Sequence, residues 1–592
     1  MIHALLPAAN RRCRRPCQRN LPHRTVALLL AAVLAVGATF ACREALAAGS
    51  GTRPNVILVM TDDQGYGDMG CHGNKFLKTT ALDQLYKESA RLTDFHVDPT
   101  CSPTRAALMT GRYSCRTGVW HTIMGRSLLR RDEKTMANYF ADAGYHTAIF
   151  GKWHLGDNYP YRVIDRGFQE SLVHGGGGIG QTPDYWGNTY FSPTLCHNGA
   201  WEKSEGYCTD VFFSAAMQFI EAHRQEPFFL YLAPNVPHAP LQAPKKYVQM
   251  YLERGVPPGL AAFYGMITNF DDNLARLLKQ LDELRLAENT IVVFLTDNGS
   301  AGGGYNSDMR GAKGSVYEGG HRVPCFVRWP KRIKRPRDVV QLTAHVDLLP
   351  TLLDMCNVPQ PENAKFDGLS IVPLLAGAED WAPRTLFVQS HRIENPMIWR
   401  QSAIMSEQYR LIDGRELYDV RKDRGQLLNI AAQNPKVVDK LRFAYQEWYK
   451  DVSERFGEYC PIVLGSPKEN PAVLNAMDWH GVVVPWDQRA IVSREIATGF
   501  WAVDFARSGR YSVILRERPA VAKYPLRASV ARLKIGQQMF NRTVPPRVMG
   551  VTFEAIVPAG PAQLQAWLLE PTGEVRGAYF VEVKYLGPAE AK

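Results

Sequence analysis

The sequence predicts an α/β protein: a large central sheet, mixed but mostly parallel, flanked by helices, followed by a small α+β unit and an extra C-terminal β-sandwich. Three observations carry this. Asn55–Met60 is an unbroken apolar, β-branched run, the composition of a strand buried on both faces. Runs of this kind alternate with helical patterns over roughly three hundred residues, which is the grammar of an α/β sheet. Past the Pro-rich stretch around Pro373–Pro383 the grammar changes, and from about Pro467 onward only short strands with Gly, Pro and Asn turns are legible.

Composition bounds the function. The chain has 592 residues, too many for one hydrophobic core, and its 45% hydrophobic and 21% charged content is ordinary for a globular protein. Residues 1–47 read as an export signal: Arg11, Arg12, Arg14, Arg15, Arg19 and Arg24 precede the apolar run Val26–Ala41, and Ala45-Leu46-Ala47 supplies a cleavage site. The expected location is periplasmic or secreted. The run is short for a membrane span, so no stable insertion is expected. Phe40 is too bulky for a lipid anchor on Cys42, and the Arg pairs lie too far from the run for a twin-arginine signal.

The formal charge of +11 includes seven Arg and one Glu in that leader, a net of +6 that leaves +5 for the rest. With no basic patch interleaved with aromatics and no zinc-knuckle spacing, nothing points to nucleic acid. Eight of the eleven Cys lie beyond the leader. In an exported chain, Cys196 and Cys208, which flank a Gly- and aromatic-rich loop, are candidates for a disulfide. Cys325 and Cys356 lie in apolar segments and read as buried thiols.

In chain order, strand Asn55–Met60 runs into Thr61-Asp62-Asp63-Gln64-Gly65. A helix near Ala81–Ala90 follows, then the loop and helix of Cys101, then a helix N-capped by Thr135 and closed by Gly144. Strand Thr147–Phe150 runs into Gly151-Lys152-Trp153-His154, and Phe228–Ala233 into Pro234-Asn235-Val236-Pro237-His238. After a helix over Phe263–Leu284, strand Thr290–Leu295 runs into Thr296-Asp297-Asn298-Gly299. Further on, Tyr409–Ile412 and Glu416–Val420 make a hairpin about Asp413-Gly414. A helix opened by Asn434-Pro435 then carries an apolar stripe of Val437, Val438, Leu441, Tyr445 and Trp448. The domain boundaries expected are 48–380 for the α/β unit, 381–455 for the α+β unit and 456–592 for the sandwich.

Each polar cluster follows the carboxyl end of a strand, the edge of an open α/β sheet where ligands bind. The clusters should therefore meet in space. Asp62, Asp63, Asp297 and Asn298 offer only oxygen ligands, which suit Ca2+ or Mg2+ rather than zinc. Lys152, His154, His238 and Lys313, the last in Gly311–Gly320, supply positive donors and a proton source for an oxyanion substrate beside such a cation. His96, His121, His146 and His321 read as structural. Gly175–Gly178 lacks the spacing of a phosphate cradle and reads as a flexible loop.

Cys101-Ser-Pro-Thr-Arg105 followed by Leu108-Met-Thr-Gly-Arg112 resembles the signature of the sulfatase family, and Gly144-Tyr-His-Thr-Ala-Ile-Phe-Gly-Lys152-Trp-His154 resembles its second signature. The resemblance extends through Asp62-Asp63, Val236-Pro237-His238, Asp297-Asn298-Gly299 and the Lys313 loop, and more loosely to Leu417-Tyr418-Asp419. The last hundred and twenty residues or so resemble only the accessory β-domains of some bacterial members. Thr104 stands where Ser is commoner, and His321 where an apolar residue is usual.

The resemblance implies an alkaline-phosphatase-like fold and a sulfuric ester hydrolase of the arylsulfatase type. It implies that a maturation enzyme oxidises Cys101 to formylglycine, whose hydrate is the nucleophile and a metal ligand. Asp62, Asp63, Asp297 and Asn298 would hold the metal, Arg105 support the hydrate, and Lys152 and Lys313 hold sulfate oxygens. His238 would protonate the leaving alcohol and His154 would act as base. Export and aromatic loops such as Tyr185-Trp186 and Trp201 suggest a sulfated glycan over a small aryl ester. A phosphatase or phosphonate monoester hydrolase on the same scaffold is the alternative enzyme, and a glycan-binding surface protein the alternative without catalysis.

Overall fold

The computed structural model describes residues 53–589. The expected leader lies outside the described residues. Ten strands form the central sheet: β1 (Asn55–Thr61), β2 (Ala90–Leu92), β3 (His146–Gly151), β4 (Glu170–Val173), β5 (Thr194–His197), β6 (Ala200–Lys203), β7 (Phe228–Ala233), β8 (Thr290–Thr296), β9 (Cys325–Arg328) and β10 (Arg337–Val339). Their order across the sheet is β10-β2-β9-β8-β1-β7-β3-β4-β5-β6. The run β8-β1-β7-β3-β4 is parallel throughout, and β9, β5 and β6 bring in the antiparallel pairs. This is the alkaline-phosphatase-like arrangement expected.

Strand β1 shows why the sheet holds. All seven residues are buried, with Val56, Leu58 and Met60 entering the core on one face and Ile57 and Val59 the core on the other. The period of two sends alternate side chains to opposite layers. Full burial of each such side chain is worth about 1.5–3 kcal/mol.

The same alternation settles the cysteines. On β5, Leu195 joins the core that contains Cys208, whereas Cys196 packs against the opposite core. Cys196 and Cys208 are free thiols and form no disulfide, because the sheet stands between their side chains. Cys325 and Cys356 are buried thiols, as expected.

Beyond the large sheet, Leu386–Gln389, Ser402–Met405, Tyr409–Ile412 and Glu416–Asp419 form a four-stranded antiparallel sheet. In its hairpin Asp413 and Gly414 both have positive φ, as a primed turn demands, and Arg415 extends the loop by one residue. Val438, Leu441 and Tyr445 of the helix Pro435–Val452 pack on Ile404, Leu411 and Leu417, so the apolar stripe is core.

The C-terminal strands form two sheets over one shared core. One contains Ile462–Leu464, Trp501–Phe505, Val530–Ile535, Gln538–Thr543, Gly560–Leu569 and Val575–Gly577; the other contains Ala472–Asn475, Gly509–Arg516, Val551–Val557 and Phe580–Gly587. The expectation of strands alone from Pro467 is corrected by the short helix Gln488–Val492. Its Asp487 cap, accepting from Ala490 N at 2.8 Å, is an N-cap signal too short to stand out against the flanking strands.

Candidate active site

Four strand ends and one helix build the site. Helix α1 (Cys101–Thr110) is buried at all ten positions and puts Cys101 at its N-terminus, where the helix dipole favours developing negative charge. Pro103 falls in the first turn, where its missing N–H costs no hydrogen bond. The Thr104 hydroxyl donates to Asp98 O at 2.9 Å, so a hydroxyl at this place ties the helix to the chain leading into it.

Asp62 and Asp63 leave the end of β1, and Asp297 and Asn298 the end of neighbouring β8. Strand pairing Thr61 with Thr296 brings the two clusters together. Asp63 N donates to Asp297 Oδ1 at 3.0 Å, and Asn298 Nδ2 to Asp63 Oδ1 at 3.0 Å. Cys101 Sγ and carboxylate oxygens of Asp62 and Asp297 lie within 4.8 Å of one another, as do ligand atoms of Asp62, Asp63 and His238.

Each carboxylate has a cation. Lys152 Nζ donates to Asp62 Oδ2 at 2.6 Å, Lys313 Nζ lies 2.5 Å from Asp63 Oδ1, and Arg105 Nη2 donates to Asp297 Oδ2 at 3.0 Å. Arg105 is itself fixed by donating to Lys152 O at 3.0 Å and to the Tyr231 hydroxyl at 3.3 Å.

Burial pushes Asp62 and Asp63 up, but the neighbouring cations outweigh it and hold Asp62 well below the usual carboxylate range and Asp63 below its ordinary value. Asp297 goes the other way: burial and the Asp62 carboxylate push it up to about 7, against the pull of Arg105. Three carboxylates in one dry pocket are what a divalent cation would stabilise. Two oxygens support that fit, since Asp62 Oδ1 and Asn298 Oδ1 are buried without a hydrogen-bond partner. The donor set of Asp62, Asp63, Asp297 and Asn298 is oxygen only and suits Ca2+ or Mg2+.

Two histidines flank the cluster, His154 buried and His238 partly exposed. His154 Nε2 lies 3.0 Å from Thr122 O, while its Nδ1 is buried without a partner. Burial, with Lys152 and Arg105 nearby, holds its ring well below the ordinary histidine value. His238 Nδ1 lies 2.7 Å from Ala239 O, and its Nε2 lies 3.9 Å from Asp63 Oδ2. Burial lowers it too, although Asp62 and Asp63 pull it upward. The side chains of Lys152, Asp62 and Arg105 are 0% exposed, His238 is 12% and Lys313 24% exposed. Access is therefore from the His238 and Lys313 side.

All ten site residues singled out in the sequence meet in this one cluster. Reading the sequence missed three supports. Tyr231 looks like core within an apolar strand, yet its hydroxyl positions Arg105. The Tyr190 hydroxyl lies 2.7 Å from Asn235 O and 2.8 Å from His238 O and shares its one proton between them, fixing the turn that carries His238. Gly175–Gly178 is not an open flexible loop: all four residues are buried. A Cβ on Gly177 would come within 2.2 Å of the His154 ring, and one on Gly178 within 3.0 Å of the His238 ring. The glycines are the signal, because only they allow backbone this close to both rings.

A family model described as sulfatase matches residues 54–358, just over half of the chain. The chain belongs to the sulfatase family. It is a sulfuric ester hydrolase. A second model, described as N-sulphoglucosamine sulphohydrolase, C-terminal, matches residues 312–450 of this sulfatase. N-acetylgalactosamine-6-sulfatase of Canis lupus familiaris is 30% identical over 382 residues, covering 56% of this chain and 68% of that protein. Arylsulfatase A of Homo sapiens is 33% identical over 388 residues, covering 60% and 74%. Among solved structures, Ps i-CgsB in complex with k-i-k-neocarrahexaose superposes with a TM-score of 0.62 at 26% identity, covering 69% of this sulfatase and 95% of that chain.

Proposed function

We propose that this sulfatase releases inorganic sulfate from a carbohydrate sulfate ester, using a formylglycine made from Cys101 by a maturation enzyme. Its metal is Ca2+, with Mg2+ as the alternative. The observation that carries the reading is the meeting of Cys101, three carboxylates and three cationic side chains at the N-terminus of α1, with His154 buried beside them and His238 on the open side. Asp62, Asp63, Asp297 and Asn298 would hold the cation, which supplies charge stabilisation for the sulfuryl group and the nucleophile. Since Lys152, Lys313 and Arg105 already balance the three carboxylates, an added dication leaves net positive charge for an anionic ester.

A formylglycine hydrate at position 101 would supply one hydroxyl, ionised to its alkoxide, to attack sulfur as the S–O bond to the alcohol breaks, and a second whose deprotonation would expel sulfate and restore the aldehyde. The protein supplies the rest. Lys152, buried against Asp62, and Lys313, partly exposed against Asp63, would take sulfate oxygens. Arg105, pinned by Tyr231, supports the nucleophile. His238, on the open side, donates a proton to the leaving oxygen. A bound sulfate ester adds negative charge beside it and offsets the burial that lowers its ring. His154, kept neutral by burial, accepts the proton of the second hydroxyl.

A sugar is favoured over a small aryl alcohol by the exposed Trp201 ring, 5.7 Å from Tyr185, and by relatives named for sulfated sugars. Export to the periplasm or medium through residues 1–47, and domain boundaries near residues 380 and 455, belong to the same proposal. Matched aryl sulfate and aryl phosphate esters test the reaction. Sulfate should be cleaved with kcat/KM at least about tenfold above phosphate; the reverse order would make the protein a phosphatase or phosphonate monoester hydrolase on this scaffold.

A further inference from the structure

The two loops that touch the site histidines are both held by one stretch of the C-terminal region, Met477–Gln488. The first loop, Thr122–Arg126, carries the carbonyl that meets His154 Nε2. Met124 N donates to Met477 O at 2.9 Å. Gly125, at φ 62°, lies so close to His480 that a Cβ would fall 2.5 Å from the ring nitrogen. His480 is buried and bonds Glu394 Oε1 at 2.9 Å, which Arg126 Nη2 approaches at 3.0 Å.

The second loop is the glycine run and its continuation to Gly187. Thr182 N donates to Trp486 O at 3.0 Å, and its hydroxyl to Pro485 O at 2.8 Å. Gln488 N donates to Gly180 O at 3.0 Å. The buried Gln488 amide nitrogen lies 3.1, 3.1 and 3.2 Å from the carbonyls of Gln181, Asp184 and Tyr185, which share its two protons, and its oxygen accepts from Gly187 N at 2.8 Å. Gln181 Oε1 in turn accepts from Gly177 N at 2.8 Å, next to His154.

The stretch is anchored to the sandwich behind it. Trp501 Nε1 donates to Asn475 O, just before the stretch, at 2.7 Å, and Trp479 and Val484 within it belong to the sandwich core. Buried backbone carbonyls satisfied by one side chain lose their partner together when it is removed, so such a residue fixes a loop more firmly than its single bond strengths suggest.

We infer that Met477–Gln488 is a positioning strap, with Gln488 and His480 as positioning residues that set His154 and His238 through the two loops. The C-terminal sheets thereby complete the catalytic centre instead of serving only as a separate binding module. The inference rests on the proton-transfer roles proposed above for the two histidines. A histidine moved off the leaving oxygen matters most when the leaving alcohol is a poor one, so the strap should show in leaving-group dependence. A general loss of folded enzyme lowers all substrates alike.

The test uses full-length matured enzyme with phenyl sulfate and 4-nitrophenyl sulfate, in Gln488→Leu and in Thr182→Val, which keeps the side-chain shape. Each variant should lose about tenfold more kcat/KM on phenyl sulfate than on 4-nitrophenyl sulfate, and hydrogen exchange of Gly175–Asp184 should quicken. Val513→Ala, in the sandwich core away from the strap, should lower the unfolding midpoint and leave that ratio at the wild-type value. Thr182→Val carries the test should Gln488→Leu not fold. A wild-type ratio and wild-type exchange in the strap variants would overturn the inference. If the wild type cleaves neither these esters nor a sulfated sugar while exchange still quickens in the variants, the strap stands and the proposed reaction fails.

Discussion

His154 and His238 owe their surroundings to neighbours that have no side chain. Gly177 lies so close to one ring, and Gly178 to the other, that a Cβ on either would meet it. Asp63 and His154 also sit at positive φ, 69° and 60°, a conformation costly for residues with a Cβ and therefore imposed by the surrounding bonds. Gly177→Ala should consequently lower kcat about tenfold or more while leaving the unfolding midpoint within a few degrees of wild type, read from steady-state kinetics and a thermal melt. Equal kcat in the variant would show that the His154 ring does not depend on this contact. The residues with obvious chemistry were legible because each follows a strand end: Asp62, Lys152, His238 and Asp297. Tyr231, Tyr190 and Gly177 were not, because a tyrosine in an apolar strand looks like core and a glycine run looks like slack until the ring it touches is known.

Beside the catalytic pocket, a second buried network joins the large sheet to the four-stranded one. Arg410 on Tyr409–Ile412 donates to Glu318 Oε1 and to Asp94 Oδ1, both at 2.8 Å, and Arg322 Nη1 reaches Glu318 Oε2 at 3.0 Å. His96 and His321 meet nitrogen to nitrogen at 2.9 Å within it, and burial pushes His321 down to about 3. The structural reading of both histidines fits this, and the departure at His321 belongs to this network. Burial would raise Glu318 and Asp94, but Arg410 foremost outweighs it and holds both well below the usual range.

A depressed carboxyl contributes stability that is present above its ordinary value, here 4.5 and 3.8, and is lost as pH falls toward the folded value. Arg410→Met leaves two carboxylates buried without their main partner and should cost about 3–5 kcal/mol at neutral pH. That gap should narrow on acidification below about pH 4, measured by denaturant unfolding across pH. A gap that stays constant with pH would contradict the pairing. The element pattern itself was readable from strand–helix alternation, whereas Arg410, one charge in a short strand, announces nothing until Glu318 and Asp94 are brought to it from elsewhere in the chain. The disulfide expectation failed for a related reason: spacing along the chain says nothing about which face of β5 a cysteine occupies.

Across the whole chain, an α/β sheet, a four-stranded sheet with its helix, and two C-terminal sheets surround one site, and the last of these reaches back to the loops around its histidines. The class of each unit was legible from composition and period. Their mutual packing was not, because the bonds of Gln488 join residues 301 to 307 positions apart. The account turns on one side chain at the N-terminus of α1. Cys101 is buried among carboxylates and cations as a thiol, and the proposed reaction requires that it not remain one. Mass spectrometry of the peptide spanning Cys101, from protein made in its native host and assayed in parallel with Cys101→Ala, tests this directly. An aldehyde in place of the thiol, with sulfate-ester hydrolysis abolished in Cys101→Ala, is the result predicted; an unmodified thiol with hydrolysis unchanged in Cys101→Ala would contradict it.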